Sequence, residues 1–144
     1  MYFYMGYNTQ MKQPNIIYTG LFVDDVRLLT QLFVPVHKNV LAHHSTIAFR
    51  PGSLEGIEVG KKHKLKVVGR VTDGKADALL VESPKSTNEH PHITLSTMKG
   101  VPPTYANEMI ANAEKEHLLE MFNEPTIINV TEGYFDGEND VLDM

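Results

Sequence analysis

The strongest constraint on the fold of this chain is a hairpin. Lys64 to Thr72 and Ala76 to Glu82 are two β-prone runs joined by the turn pair Asp73-Gly74, and so short a connection forces the two strands to pair antiparallel. In the first run Leu65, Val67 and Gly69 alternate with Lys64, Lys66, Val68 and Arg70, which places one face toward a core and the other toward water. Other strands are predicted over Ile16 to Val23, His44 to Phe49, Gly56 to Val59, His92 to Thr97 and Thr126 to Phe135. Two helices interrupt them. One is capped by Asp24 and repeats Val26, Leu29, Leu32 and Phe33 up to a stop near Pro35; the other follows Thr104 from Tyr105 to Phe122, with Met109, Ile110, Ala113, His117, Leu118 and Met121 as its apolar stripe. Strands that outnumber helices in this order predict an α+β fold with mainly antiparallel sheets and helices packed outside.

A length of 144 residues, 42% of them hydrophobic, suits one domain over 15–135, preceded by an irregular arm over 1–14 and followed by a mobile acidic tail over 136–144. The absence of cysteine excludes disulfides, thiolate metal sites and a cysteine nucleophile. No segment approaches the roughly 20 apolar residues that span a bilayer, and no secretory leader is visible, so the expectation is a cytoplasmic protein without a membrane partner. A net charge of −5 argues against binding long duplex nucleic acid, which draws its affinity from many phosphate contacts. A small nucleotide or an RNA end needs only a local positive site. No sequence feature specifies an oligomeric state.

Two copies of one pattern carry the chemistry: His44-Ser45-Thr46-Ile47 and His92-Ile93-Thr94-Leu95, 48 positions apart. Each lies in a predicted strand that runs into a glycine-bearing turn, Arg50-Pro51-Gly52 or Met98-Lys99-Gly100. In a strand the histidine and its threonine share a face, about 6.6 Å apart along the chain. Two copies brought together would offer two groups that exchange protons near neutral pH, and two hydroxyl donors for an anion between them. A phosphodiester meets that description.

At these residues the chain resembles the two-histidine (2H) phosphoesterase superfamily, whose members carry two His-x-Thr/Ser motifs on strands lining one cleft. Within it the chain is most similar to the cyclic phosphodiesterase domains of fungal and plant tRNA ligases. The likeness extends over Ile16 to Phe135 and is concentrated in His44 to Ile47 and Pro91 to Leu95; it departs at His43, where the family has an apolar residue, and in a shorter gap between motifs. The resemblance implies a bilobal α+β fold with a central cleft. It further implies metal-independent and cofactor-free hydrolysis of a 2′,3′-cyclic phosphate on an RNA 3′ end or a small cyclic nucleotide. His44 and His92 would then act as acid and base in either order, with Thr46 and Thr94 binding the non-bridging oxygens.

Two rival functions use the same residues: cleavage of small cyclic oligonucleotide signals by a viral-type enzyme, and capture of an RNA end without turnover. A zinc site from His43, His44, His90 and His92 is the competing chemistry, opposed by the lack of a suitably spaced carboxylate. Further substrate contacts are expected from Arg70, Lys85 and Lys99 as cations and from Phe49 and Tyr105 as stacking rings. The basic run Lys61 to Lys66 is expected to be a solvated face, with an RNA-approach surface as the alternative; His43 and His90 are expected at the pocket rim or facing solvent, His117 in the core, and His37 and His63 on the surface.

Overall fold

A computed structural model describes residues 15–143. The fold of those residues is mixed and mostly strand: β1 (Tyr18–Val23), α1 (Val26–Leu32), β2 (Asn39–Val40), β3 (His44–Phe49), β4 (Lys62–Thr72), β5 (Ala76–Glu82), β6 (His92–Thr97), α2 (Tyr105–Lys115), β7 (Glu120–Phe135) and β8 (Asp140–Val141). Six of the strands pair antiparallel in the order β1-β3-β6-β5-β4-β7, and β7 returns to β1, so the sheet closes into a barrel. Closure removes the sheet edges that would otherwise recruit another chain. The expected arm over 1–14 lies outside the described residues. No helix among the described residues is long and apolar enough to cross a membrane.

Alternation determines which side chains fill the barrel. Leu21, Ile47, Leu65, Val67, Leu79, Val81, Ile93, Leu95, Ile128 and Val130 point inward and form one core. A second core lies outside the wall, where Ala106, Met109, Ile110 and Ala113 of α2 cover Val71, Ala76, Ala78 and Leu80. β5 therefore has both faces buried, which explains its apolar run from Ala78 to Val81.

A buried carboxylate closes each end of the barrel. At one end Asp77 accepts from Nε and Nη2 of Arg70, at 2.9 and 2.8 Å, and from Thr72 and the Val36 amide. At the other Glu132 accepts from Lys85 and His63, both at 2.7 Å, and from the Glu58 amide. Burial raises the pKa of both acids, but the hydrogen bonds outweigh it and hold each below its ordinary value.

Several expectations are corrected. Asp25, not Asp24, caps α1 by accepting from the Leu28 amide, and of the proposed stripe only Leu29 is buried, because this short helix lies across the barrel mouth. Gly56 to Val59 is turn rather than strand, since Gly56 and Gly60 take φ of +82° and +91°. A bulge between Val67 and Gly69 reverses the parity of β4, so Gly69 and Val71 face outward toward α2 while Leu65 and Val67 face the core. α2 stops at Lys115. His117 adopts φ +58°, its amide bonds the Glu114 carbonyl, and the Leu118 amide reaches back to Ala113, a Schellman ending without the usual glycine. His117, Leu118 and Met121 are consequently exposed instead of core. Finally, the chain beyond Phe135 folds back as β8 on β7, where Gly133 leaves room that any Cβ would take from the Val141 carbonyl.

Candidate active site

β3 and β6 are neighbours in the barrel, paired through Ser45 and Ile93. Those two spacer residues point inward and are fully buried, so the residues on either side of them, His44 and Thr46 on β3 and His92 and Thr94 on β6, turn to the outer face. Gly20 and Phe22 of β1 lie opposite Thr46 and His44, and Ala78 and Leu80 of β5 lie opposite Thr94 and His92. The four motif side chains thus share one patch of the outer wall, between an aromatic group on β1 and the helix α2. Thr94 Oγ1 makes one long bond, 3.4 Å to the Pro103 carbonyl. The loop after β5 runs along β3 and is tied to it by Ser86 Oγ, which donates to the Thr46 carbonyl.

The two histidines are held in different ways. His92 is 8% exposed and its Nδ1 lies 2.8 Å from the His90 carbonyl. A carbonyl only accepts, so Nδ1 carries the proton and Nε2 is left for another partner. His44 stacks on Tyr18 with ring centroids 4.4 Å apart, and Phe22 and Phe135 extend the same aromatic group. Its Nδ1 lies 2.9 Å from Nδ1 of His43 and 3.4 Å from the Tyr18 hydroxyl. His43 in turn places Nε2 2.7 Å from Oδ2 of Asp140.

Burial dominates the proton affinities. It pushes His44 down to about 3, with the charges of His43 and His92 acting in the same direction. Burial also lowers His92, partly opposed by its bond to the His90 carbonyl. Tyr18 moves the other way, raised by burial and by nearby Asp140, so its phenol stays neutral. The free protein therefore holds two neutral imidazoles at neutral pH. A bound anion acts in the opposite sense, because its charge favours the protonated rings.

Most of the secondary candidates lie elsewhere. Arg70 and Lys85 are bound to Asp77 and Glu132 at the two barrel ends, where buried carboxylates need a cation. The Tyr105 hydroxyl donates to Asp73 at 2.6 Å, and Lys75 lies over its ring. Phe49 is exposed at the end of β3 with Arg50 over its ring, and Lys99 is exposed in the turn after β6. In the basic run, Lys61, Lys62 and Lys66 face Glu58, Asp24 and Glu82, and Lys64 donates to Asn129. His63 and His37 are not free surface residues, since they bond Glu132 and the Asp73 carbonyl.

Sequence reasoning missed two neighbours of His44, Tyr18 and His43, and Asp140 behind His43. Tyr18 and Asp140 stand 26 and 96 residues from His44, and nothing local links them to the motif. His43 was visible as a histidine doublet, but regular strand parity sends adjacent side chains to opposite faces. The parity fails here because Ala42 takes φ +53° and the pairing with β6 slips between the Ala42 amide, bonded to Thr94, and the Ser45–Ile93 pair. Among the described residues, His90 is the one zinc candidate that joins a group with metal-ligand spacing, with Glu89 and Glu114. His90 and Glu114 already form a 3.0 Å pair on an open surface. No family model and no curated protein matches this chain.

Proposed function

We propose that this protein is a metal-independent phosphodiesterase that opens 2′,3′-cyclic phosphates on RNA ends or small nucleotides, a member of the two-histidine phosphoesterase superfamily. One observation carries the reading. Both motif histidines sit on one outer patch with Nδ1 engaged by the protein, which leaves both Nε2 atoms for a substrate between them. Two imidazoles so arranged can move one proton each way across a phosphorus centre, and Thr46 and Thr94 on the same face can donate to its non-bridging oxygens. In this proposal β3 and β6 correspond to the motif strands of the family's two lobes. A cysteine-free chain suits a cytoplasmic setting.

The experiment is incubation with a 2′,3′-cyclic mononucleotide, and separately with short cyclic oligonucleotides, in EDTA. The expected result is metal-free opening of the mononucleotide. Because one histidine must be protonated and both pKa values are lowered, kcat/KM should peak below pH 6.5 and fall as pH rises above it. Hydrolysis of neither substrate class, with tight binding retained, would make the protein a capture module; activity lost in EDTA would indicate metal chemistry.

A further inference from the structure

The environments of the two histidines break the symmetry of their motifs. Resting on the hydrolytic reading above, we propose that Asp140 and His43 are positioning residues that keep the proton of His44 on Nδ1, making His44 the general base and His92 the general acid. The argument starts from Asp140, whose carboxylate only accepts. His43 Nε2, 2.7 Å away, must therefore carry its proton. A neutral His43 then has a lone pair on Nδ1, and the 2.9 Å contact to His44 Nδ1 is a hydrogen bond only if His44 donates. His44 Nε2 is left with a lone pair for a substrate. This is the tautomer a base needs. His92 shares it, but behind His92 stands only a carbonyl, whereas behind His44 a second ring and a carboxylate can take up the positive charge that a base acquires, which is the logic of the serine-hydrolase triad. One more ring is inserted here.

The step balances. Water attacks phosphorus and gives a proton to His44 Nε2 while its oxygen forms the new P–O bond. The bond from phosphorus to one ribose oxygen breaks, and that oxygen takes the Nε2 proton of a protonated His92. As His44 becomes positive, its Nδ1 proton can shift toward His43, whose far nitrogen faces Asp140. His92 ends neutral and His44 protonated, and exchange with solvent restores both. The titratable groups that face His44 are Tyr18 from β1, His92 from β6, and His43 with Asp140 behind it from β8; burial disfavours charge on Tyr18.

The test is ring-nitrogen NMR of the labelled protein at pH 7.5, combined with kinetics on a 2′,3′-cyclic mononucleotide. Wild-type His44 should show a protonated Nδ1 and a bare Nε2. Asp140→Asn should shift the population toward protonated Nε2, lower kcat by roughly 10- to 100-fold with KM changed little, and Asp140→Glu should recover part of the rate. Asp140 is partly exposed on a short strand, and an unchanged thermal midpoint will show that folding is not the cause. A wild-type His44 protonated on Nε2, or a kcat for Asp140→Asn equal to wild type, would overturn the proposal. If wild type opens no cyclic phosphate, the hydrolytic reading fails by itself, and the ring spectra still decide whether Asp140 controls His44.

Discussion

His44 and His92 occupy equivalent places in two copies of one motif on two paired strands, yet their neighbours differ in kind. His92 leans on a backbone carbonyl, an acceptor that cannot change its protonation state. His44 leans on a second imidazole with a carboxylate behind it, and it is stacked in an aromatic group that removes it from water. The same four-residue pattern therefore yields two proton sites of different character. What separates them is outside the motif.

The largest effect expected from this comparison is on turnover. His44→Ala and His92→Ala should each lower the rate on a cyclic nucleotide by about 10²- to 10⁴-fold. A diester with a good aryl leaving group sharpens the contrast, because such a group departs without a proton: it should rescue His92→Ala and leave His44→Ala slow. Equal rescue of both variants would put the asymmetry in doubt.

Next in size is a change that leaves the histidines alone. Arg70→Ala strips the cation from fully buried Asp77 and should cost about 3–5 kcal/mol of stability in denaturant unfolding. The ring-nitrogen signals of His44 and His92 should not move. A shift in either would mean that the barrel end and the patch are coupled.

A third test uses pH. The folded protein refuses the proton on His44 that the unfolded chain accepts below about 6.5, so this contribution to stability is whole above that pH and declines as pH falls toward the folded value of about 3. Unfolding free energies measured at pH 7, 6 and 5 should fall by up to about 1.4 kcal/mol per unit from this one proton. His44→Gln should flatten that slope more than His92→Gln does. The opposite ranking would reverse the order of burial effects.

The smallest effect belongs to the motif spacers. Ser45 lies fully buried opposite Ile93 with its hydroxyl unpaired among the described residues, a cost that Ser45→Ala removes. Stability should be unchanged or improved by up to about 1 kcal/mol, with turnover retained. A loss above 1 kcal/mol would show that the hydroxyl has a partner.

Regular strands were legible in advance. β3, β5 and β6 begin and end where alternation, β-branched content and the Asp73-Gly74 turn place them, because those signals act between near neighbours in sequence. Irregular backbone was not. The left-handed residues at Ala42 and His117 carry no glycine to announce them, and the bulge at Val68 hides in a run that alternates well. Arg70 and Lys85 read as free cations because their acids belong to other strands or to the far side of a hairpin.

The two His-x-Thr pairs, the strands that carry them and the shared face of each pair are written in the local chain, since period-two geometry needs nothing more. That the two strands are neighbours, that His43 meets His44 and that Asp140 reaches His43 are products of long-range packing. Those contacts depend on barrel closure, on a register slip and on a strand folded over Gly133, all of which join residues that the chain keeps far apart or regular geometry would separate.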